Sequence, residues 1–401
     1  MSADIKLKDA RLRGRTGQFT ILIKDETIQS VNHDSSARAE VTIDAKGGLV
    51  TESFVIAHLH LDKVLTGEKV GTSALDLYQS DRMKTKEAIK IASSIKASYT
   101  EDDITKRVTR ILELAIRYGA THIRGFVDVD TNIGLLPMNT ILKLKHKFKD
   151  KINLQLVAFP QEGILESPGC SELIEKAMEA GADVVGGIPW IERGNANQRR
   201  HIIQAFEIAK KFRAPVAMLV DDSEDRNLKT LDMLAEQTIR YRWQGMVEAC
   251  HARAMQFYDK RELQRTIKLC KMAKIGLVSS PHTGPYCAPI KTLDKSGITV
   301  ALGQDDCDDA YYPYGRCKMV EIAYLASHIL RMMTSKEIDL LYDWITKTPA
   351  RIMGYENFGT NPGNKANLVV FKEKSVREII SNQSEPSAVV HEGRLLYGGI
   401  P

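Results

Sequence analysis

Over the first fifty residues, apolar and polar positions alternate in short bursts: IKLKDARL (5–12), FTILIKD (19–25), TIQSV (27–31) and EVTIDA (40–45). Gly, Asp and Asn break the runs. Alternation with period two between such residues predicts the strands of a small sheet. The last forty residues return to this pattern with ANLVVF (366–371), SAVVHEG (387–393) and RLLYG (394–398).

Between these ends the pattern changes. Eight apolar runs recur: LVTESFVIA, HIRGFVDVD, INLQLVAFP, ADVVGGIP, APVAMLV, GMVEACHA, IGLVSSP and ITVALGQD. Segments with helical spacing separate them, such as CSELIEKAMEAG (170–181) and RRHIIQAFEIAKKF (199–212). Buried strands alternating with amphipathic helices predict a parallel sheet with right-handed crossovers. Eight such units over about 300 residues predict an α/β fold of the (β/α)8 TIM type. A doubly wound open sheet is the alternative, but no GxGxxG follows any strand.

Composition narrows the class. A net charge of +5, with basic residues scattered among acids, gives no nucleic-acid footprint. The six cysteines form no CxxC pair, so reduced thiols and a cytoplasmic setting are expected. The start, MSADIKLKDARLRG, lacks an apolar leader core, and no stretch is long and apolar enough for a membrane span. Without a solubilising charge excess, a homo-oligomer is expected.

In such a barrel, chemistry gathers at the C-terminal ends of the strands. Those ends carry His58 and His60, Asp128 and Asp130, Gln161 and Glu162, Trp190 and Glu192, Asp221 and Asp222, His251, His282, and Asp305 and Asp306. Four of the ten histidines fall at these positions. Residues two apart on a strand share a face, so His58 and His60 can approach one ion. Asp305, from the strand that closes the barrel, can add a carboxylate. Imidazole with carboxylate suits zinc or iron(II). His282 is either a hydrogen-bonding wall of the pocket or a structural residue. Asp62 is expected to orient a ligand or bond the barrel rim, and Lys63 to be solvated or paired with an acid. Cys250 precedes His251 and is expected to point to the opposite face, which argues against a Cys-His nucleophile.

The motifs HLHLD (58–62), IRGFVDVD (123–130), LVAFPQEGIL (156–165), GADVVGGIP (181–189), ACHARAM (249–255) and LGQDDCDDAYYPYG (302–315) resemble the amidohydrolase superfamily, most of all its cytosine deaminase branch. The resemblance spans residues 50–350. It implies a small β-sandwich built from residues 1–50 and 352–401 beside a barrel of residues 51–351. It implies one divalent metal ion, iron or zinc, held by His58, His60, a third histidine after strand five, and Asp305. It implies that Asp222 shuttles protons, that His251 helps activate water, and that Gln161 and Asp306 hold the ring of a small heterocyclic substrate. A metal-activated water then attacks an amidine carbon and a carboxylate protonates the leaving ammonia.

The chain departs from that pattern at strand five, where LVDD places Leu219 at the histidine position. Two readings follow. Either Asp221 replaces the ligand, since Leu219 and Asp221 share a face if the strand continues, or the metal is lost and the protein is catalytically impaired. Phe126 and Trp190 stand where relatives carry histidine, Tyr311 where they carry tryptophan, and Arg253 where they carry a small residue. Trp190 and Tyr311 are expected to stack on a flat ring, and Arg253 to pair with an acid or an anionic substrate group. The expected function is deamination of a nitrogen heterocycle. Removal of an alkylamino group from a triazine-like ring and a non-catalytic role are the alternatives.

Overall fold

The computed structural model describes residues 3–33, 36–80 and 85–398. Eight parallel strands form one sheet in sequential order: Phe54–His60, Ala120–Asp128, Asn153–Phe159, Val184–Gly187, Val216–Val220, Val247–His251, Gly276–Ser279 and Val300–Leu302. A parallel bridge between Leu59 and Asp305 joins the first strand to the last, so the sheet closes as a barrel. Two backbone bonds reinforce the seam, His60 N–H to the Asp305 carbonyl at 2.8 Å and Asp305 N–H to the His58 carbonyl at 3.0 Å.

Local signals explain the outer helices. Glu101–Arg117 starts at Thr100, whose hydroxyl accepts from the Asp103 N–H, and has three acids in its first turn. Both features satisfy or complement the free N–H groups of a helix start. Ile104, Val108, Ile111, Leu112 and Ala115 lie on its buried stripe. Helix Lys260–Ala273 begins with a capping box between Asp259 and Glu262. The apolar faces of the helices pack on the outward residues of the barrel strands. Val55, Ala57, Phe126, Phe159, Ala217, Leu219, Cys250 and Ala301 fill the barrel interior.

A second sheet of eight strands is mixed. It joins Ala3–Leu12, Phe19–Lys24, Thr27–Asn32, Ala39–Asp44 and Leu49–Glu52 to Leu368–Val370, Ala388–His391 and Arg394–Gly398. It has its own core around Ile5, Leu7, Ile21, Val50, Leu368 and Val390. Leu49–Glu52, the start of a run read above as one barrel strand, pairs with Arg11–Leu12 and with Leu368–Val370. Ser53 then separates it from the first barrel strand. Among the described residues, no helix is long and apolar enough to cross a membrane.

Candidate active site

The first barrel strand does not alternate evenly. Its register against the second strand slips between Ile56 and Leu59, the mark of a bulge. Before the slip, Val55 and Ala57 face the barrel interior. After it, Leu59 and Leu61 pack outward, while His58 and His60 face the axis beside Asp305. The glycine after strand eight allows the close approach: a Cβ on Gly303 would stand 3.0 Å from the His58 Cβ.

The His58 Nε2 is 3.0 Å from the Asp305 Oδ1, and the Nε2 atoms of His251 and His60 lie 3.6 and 3.9 Å from the same oxygen. All four side chains are buried. Ligand atoms of His58, His60 and Asp305 lie within 4.8 Å of one another, the convergence one cation requires. The electrostatics agree. Burial would raise the Asp305 carboxyl, but His251 and His58 outweigh it and hold it well below its ordinary range. Burial, then Lys63 and His58, push His60 well below its ordinary value, and burial also lowers His251. A metal ligand must be deprotonated to bind, and the lowered Asp305 carboxyl and the lowered His60 ring meet that requirement.

Asp221 is not part of this group. Strand five ends at Val220, and Asp221 adopts a left-handed conformation with φ 46°. That turn breaks the alternation and swings the carboxylate into the outer layer. There it accepts from the Thr230 N–H at 2.7 Å, the Thr230 hydroxyl at 2.6 Å and the Leu231 N–H at 3.1 Å. It anchors the first turn of helix Thr230–Tyr241 and does not replace the missing histidine. Leu219 lines the pocket at that position.

Left-handed residues recur where strands end: His251 has φ 69° and Asp305 φ 68°. Such conformations are uncommon for residues other than glycine and gather at functional sites. The turn at His251 also corrects the expectation for Cys250. Both face the axis: the His251 ring is turned toward Asp305, and the Cys250 Sγ lies 3.5 Å from the His58 Nδ1.

A small cavity of about 30 Å³ lies over the group, lined by Gln161, Trp190, Leu219, Asp222, His251, Asp306 and Tyr311 among others. The expected site residues other than Asp221 therefore meet in one place. Asp222 bonds the Arg253 Nε at 2.5 Å. Burial would raise Asp222, but the charges of His251 and Arg253 hold it below its ordinary value. Among the described residues, the Trp190 Nε1 and the Asp306 Oδ1 are buried without a hydrogen-bond partner. An outer cavity of about 810 Å³, lined by Lys90, Asn132, Glu162 and Arg193, shares Ile89 with the inner one.

Other strand-end residues support the site from outside. Glu192 bonds the His201 Nδ1 at 2.8 Å and accepts from the Ile164 and Leu165 N–H groups. It thereby clamps the loop after Gln161 to the turn carrying Trp190. The His282 Nε2 lies 3.1 Å from the Gln304 carbonyl oxygen, which ties down the segment leading to Asp305. Lys63 is buried and bonds Asp128 at 2.5 Å. Lys96, which strand-end reasoning passed over, reaches Asp130 at 2.5 Å and Asp128 at 2.7 Å.

Comparison with known proteins agrees with the geometry. A family model described as "Amidohydrolase family" matches residues 83–397. N-isopropylammelide isopropyl amidohydrolase of Pseudomonas sp. (strain ADP) is 28% identical over 98% of this chain and 97% of its own length. Pterin deaminase of Rhizobium rhizogenes is 26% identical over 95% of this chain and 88% of its own. The crystal structure of 5-methylcytosine deaminase from Klebsiella pneumoniae, with 5-fluorocytosine bound, superposes with a TM-score of 0.90 at 29% identity, covering 99% of this chain and 98% of that one. The chain belongs to the amidohydrolase family.

Proposed function

We propose that this chain hydrolyses an exocyclic C–N bond of a small nitrogen heterocycle, using one divalent ion held by His58, His60 and Asp305. The observation that carries this reading is the convergence of those three buried side chains beneath a pocket bearing Gln161, Trp190 and Asp306. His58, His60 and Asp305 would hold the ion, which when bound would supply Lewis-acid polarisation and a water of lowered pKa. Two imidazoles and one carboxylate, with a coordination position left open, make up a recognised catalytic zinc set. Leu219 therefore leaves a chemically complete site, which favours an active enzyme over the non-catalytic alternative.

Asp222 is ionised at rest because His251 and Arg253 face it. Its carboxylate can take a proton from the attacking water and pass it to the leaving nitrogen. His251 stands 3.6 Å from Asp305, placed to orient that water. Gln161 offers a donor and an acceptor to a ring edge. Asp306 offers a further polar contact, while Trp190 and Tyr311 offer flat faces for stacking.

Ammonia and an alkylamine are the two candidate leaving groups. The 5-methylcytosine deaminase structure supports the first and the N-isopropylammelide amidohydrolase supports the second. The test is to incubate zinc- or iron-loaded protein with cytosine, 5-methylcytosine, isocytosine, creatinine, aminotriazines and N-isopropylammelide, following ammonia and isopropylamine separately. Release of either amine, abolished by Asp305→Asn, is expected. Silence across the panel in metal-loaded protein overturns the reading.

A further inference from the structure

Below the candidate metal group, a chain of buried polar side chains runs down the barrel axis. The His58 Nδ1 lies 3.5 Å from the Cys250 Sγ. The Cys250 thiol donates to the Glu248 Oε1 at 3.2 Å. The Glu248 Oε2 accepts from the Arg124 guanidinium at 2.6 Å, and Arg124 makes two bonds to the Gln155 Oε1, at 3.1 and 2.7 Å. His58, Cys250, Glu248 and Arg124 are each at most 1% exposed.

Arginine only donates, and the Cys250 thiol donates its one proton to Glu248. The sulfur then offers His58 Nδ1 an acceptor at 3.5 Å, which favours the proton on that nitrogen. With Nδ1 protonated, the lone pair of the imidazole sits on Nε2, the atom that faces Asp305. Phe126 packs edge-on against the same ring, with centroids 4.3 Å apart, and fixes its plane. A histidine that ligates a metal ordinarily donates its second N–H to a carboxylate, carbonyl or water, which sets tautomer and orientation. Here a thiol stands between the imidazole and the carboxylate.

We propose that Cys250, backed by Glu248 and Arg124, is a positioning residue that locks His58 in the tautomer whose Nε2 lone pair faces the ion. This rests on the metal-site reading above. It assigns a use to a buried cysteine otherwise taken as packing, and to a charged pair inside the barrel.

The test is zinc affinity, measured by chelator competition on the full chain for the wild type, Cys250→Ala, Cys250→Ser and Asp305→Asn, with thermal unfolding of the metal-free forms as a control. Cys250→Ala removes the acceptor and is expected to weaken zinc binding about 10- to 100-fold, the usual cost of losing such a support. Cys250→Ser keeps one acceptor and one donor and is expected to bind close to wild type. A packing role alone would lower the unfolding temperature of Cys250→Ala and leave its zinc affinity unchanged, which overturns the proposal. If the wild type itself binds no zinc, the metal-site reading fails and this proposal fails with it. If the wild type binds zinc, Asp305→Asn does not, and Cys250→Ala matches wild type, the positioning role alone is wrong.

Discussion

The Nε2 of His58 faces the Oδ1 of Asp305 across 3.0 Å, and both side chains are buried. At that distance either a ring proton or a cation joins the two atoms, and the proposed metal site places a cation there. The predictions below follow from this pairing and from the residues around it.

Leu219 lines the inner cavity together with His60, His251 and Asp305, and histidine has a similar volume. Leu219→His is therefore expected to tighten zinc binding by at least about tenfold, the lower bound for a group that completes or orients a site. Titration of metal into the variant and the wild type measures it. An unchanged affinity would show that position 219 does not reach the ion.

Asp221→Ala is expected to leave metal content unchanged and to destabilise the fold. It strands the Thr230 and Leu231 N–H groups in a buried helix start, at a cost of about 2–3 kcal/mol. Denaturant unfolding measures the second effect. Loss of metal in a variant that still folds would restore Asp221 to the site.

That residue also marks where reading along the chain reached its limit. The barrel and the group His58, His60, His251 and Asp305 were legible, because apolar runs locate strands and their ends locate chemistry. Asp221 was misplaced because alternation was extended past the last paired residue. No residue type announces the left-handed turn at Asp221, or the one that turns His251 toward the axis alongside Cys250. The bulge between Ile56 and Leu59 is equally silent in the sequence. Lys96 meets Asp128 and Asp130 only in three dimensions, since nothing in its helical segment identifies it as a buried partner.

Burial pushes His282 down to about 4 in the folded protein, against an ordinary value of 6.5. Between those values the unfolded chain binds the extra proton, so stability rises with pH across that window and falls on acidification. The loss approaches about 1.4 kcal/mol per pH unit for one such group. His282→Gln is expected to flatten this dependence between pH 6.5 and 4, measured by denaturant unfolding at a series of pH values. An equal slope in both proteins would mean that His282 protonates normally in the fold.

Arg253→Met removes one of the positive groups that hold Asp222 below its ordinary value, and leaves burial to raise it. The acid limb of the activity profile is expected to move to higher pH, with a fall in rate at neutral pH. A profile that falls in height without moving would separate Arg253 from the protonation of Asp222.

The most direct test of the account is metal per chain, by elemental analysis of protein purified without added metal and again after incubation with zinc, alongside Asp305→Asn and Asp221→Ala. The account predicts close to one equivalent in the wild type, the same in Asp221→Ala, and little in Asp305→Asn. A wild-type chain that holds no metal even after incubation would contradict it, and Leu219 would then mark a site that has lost its chemistry.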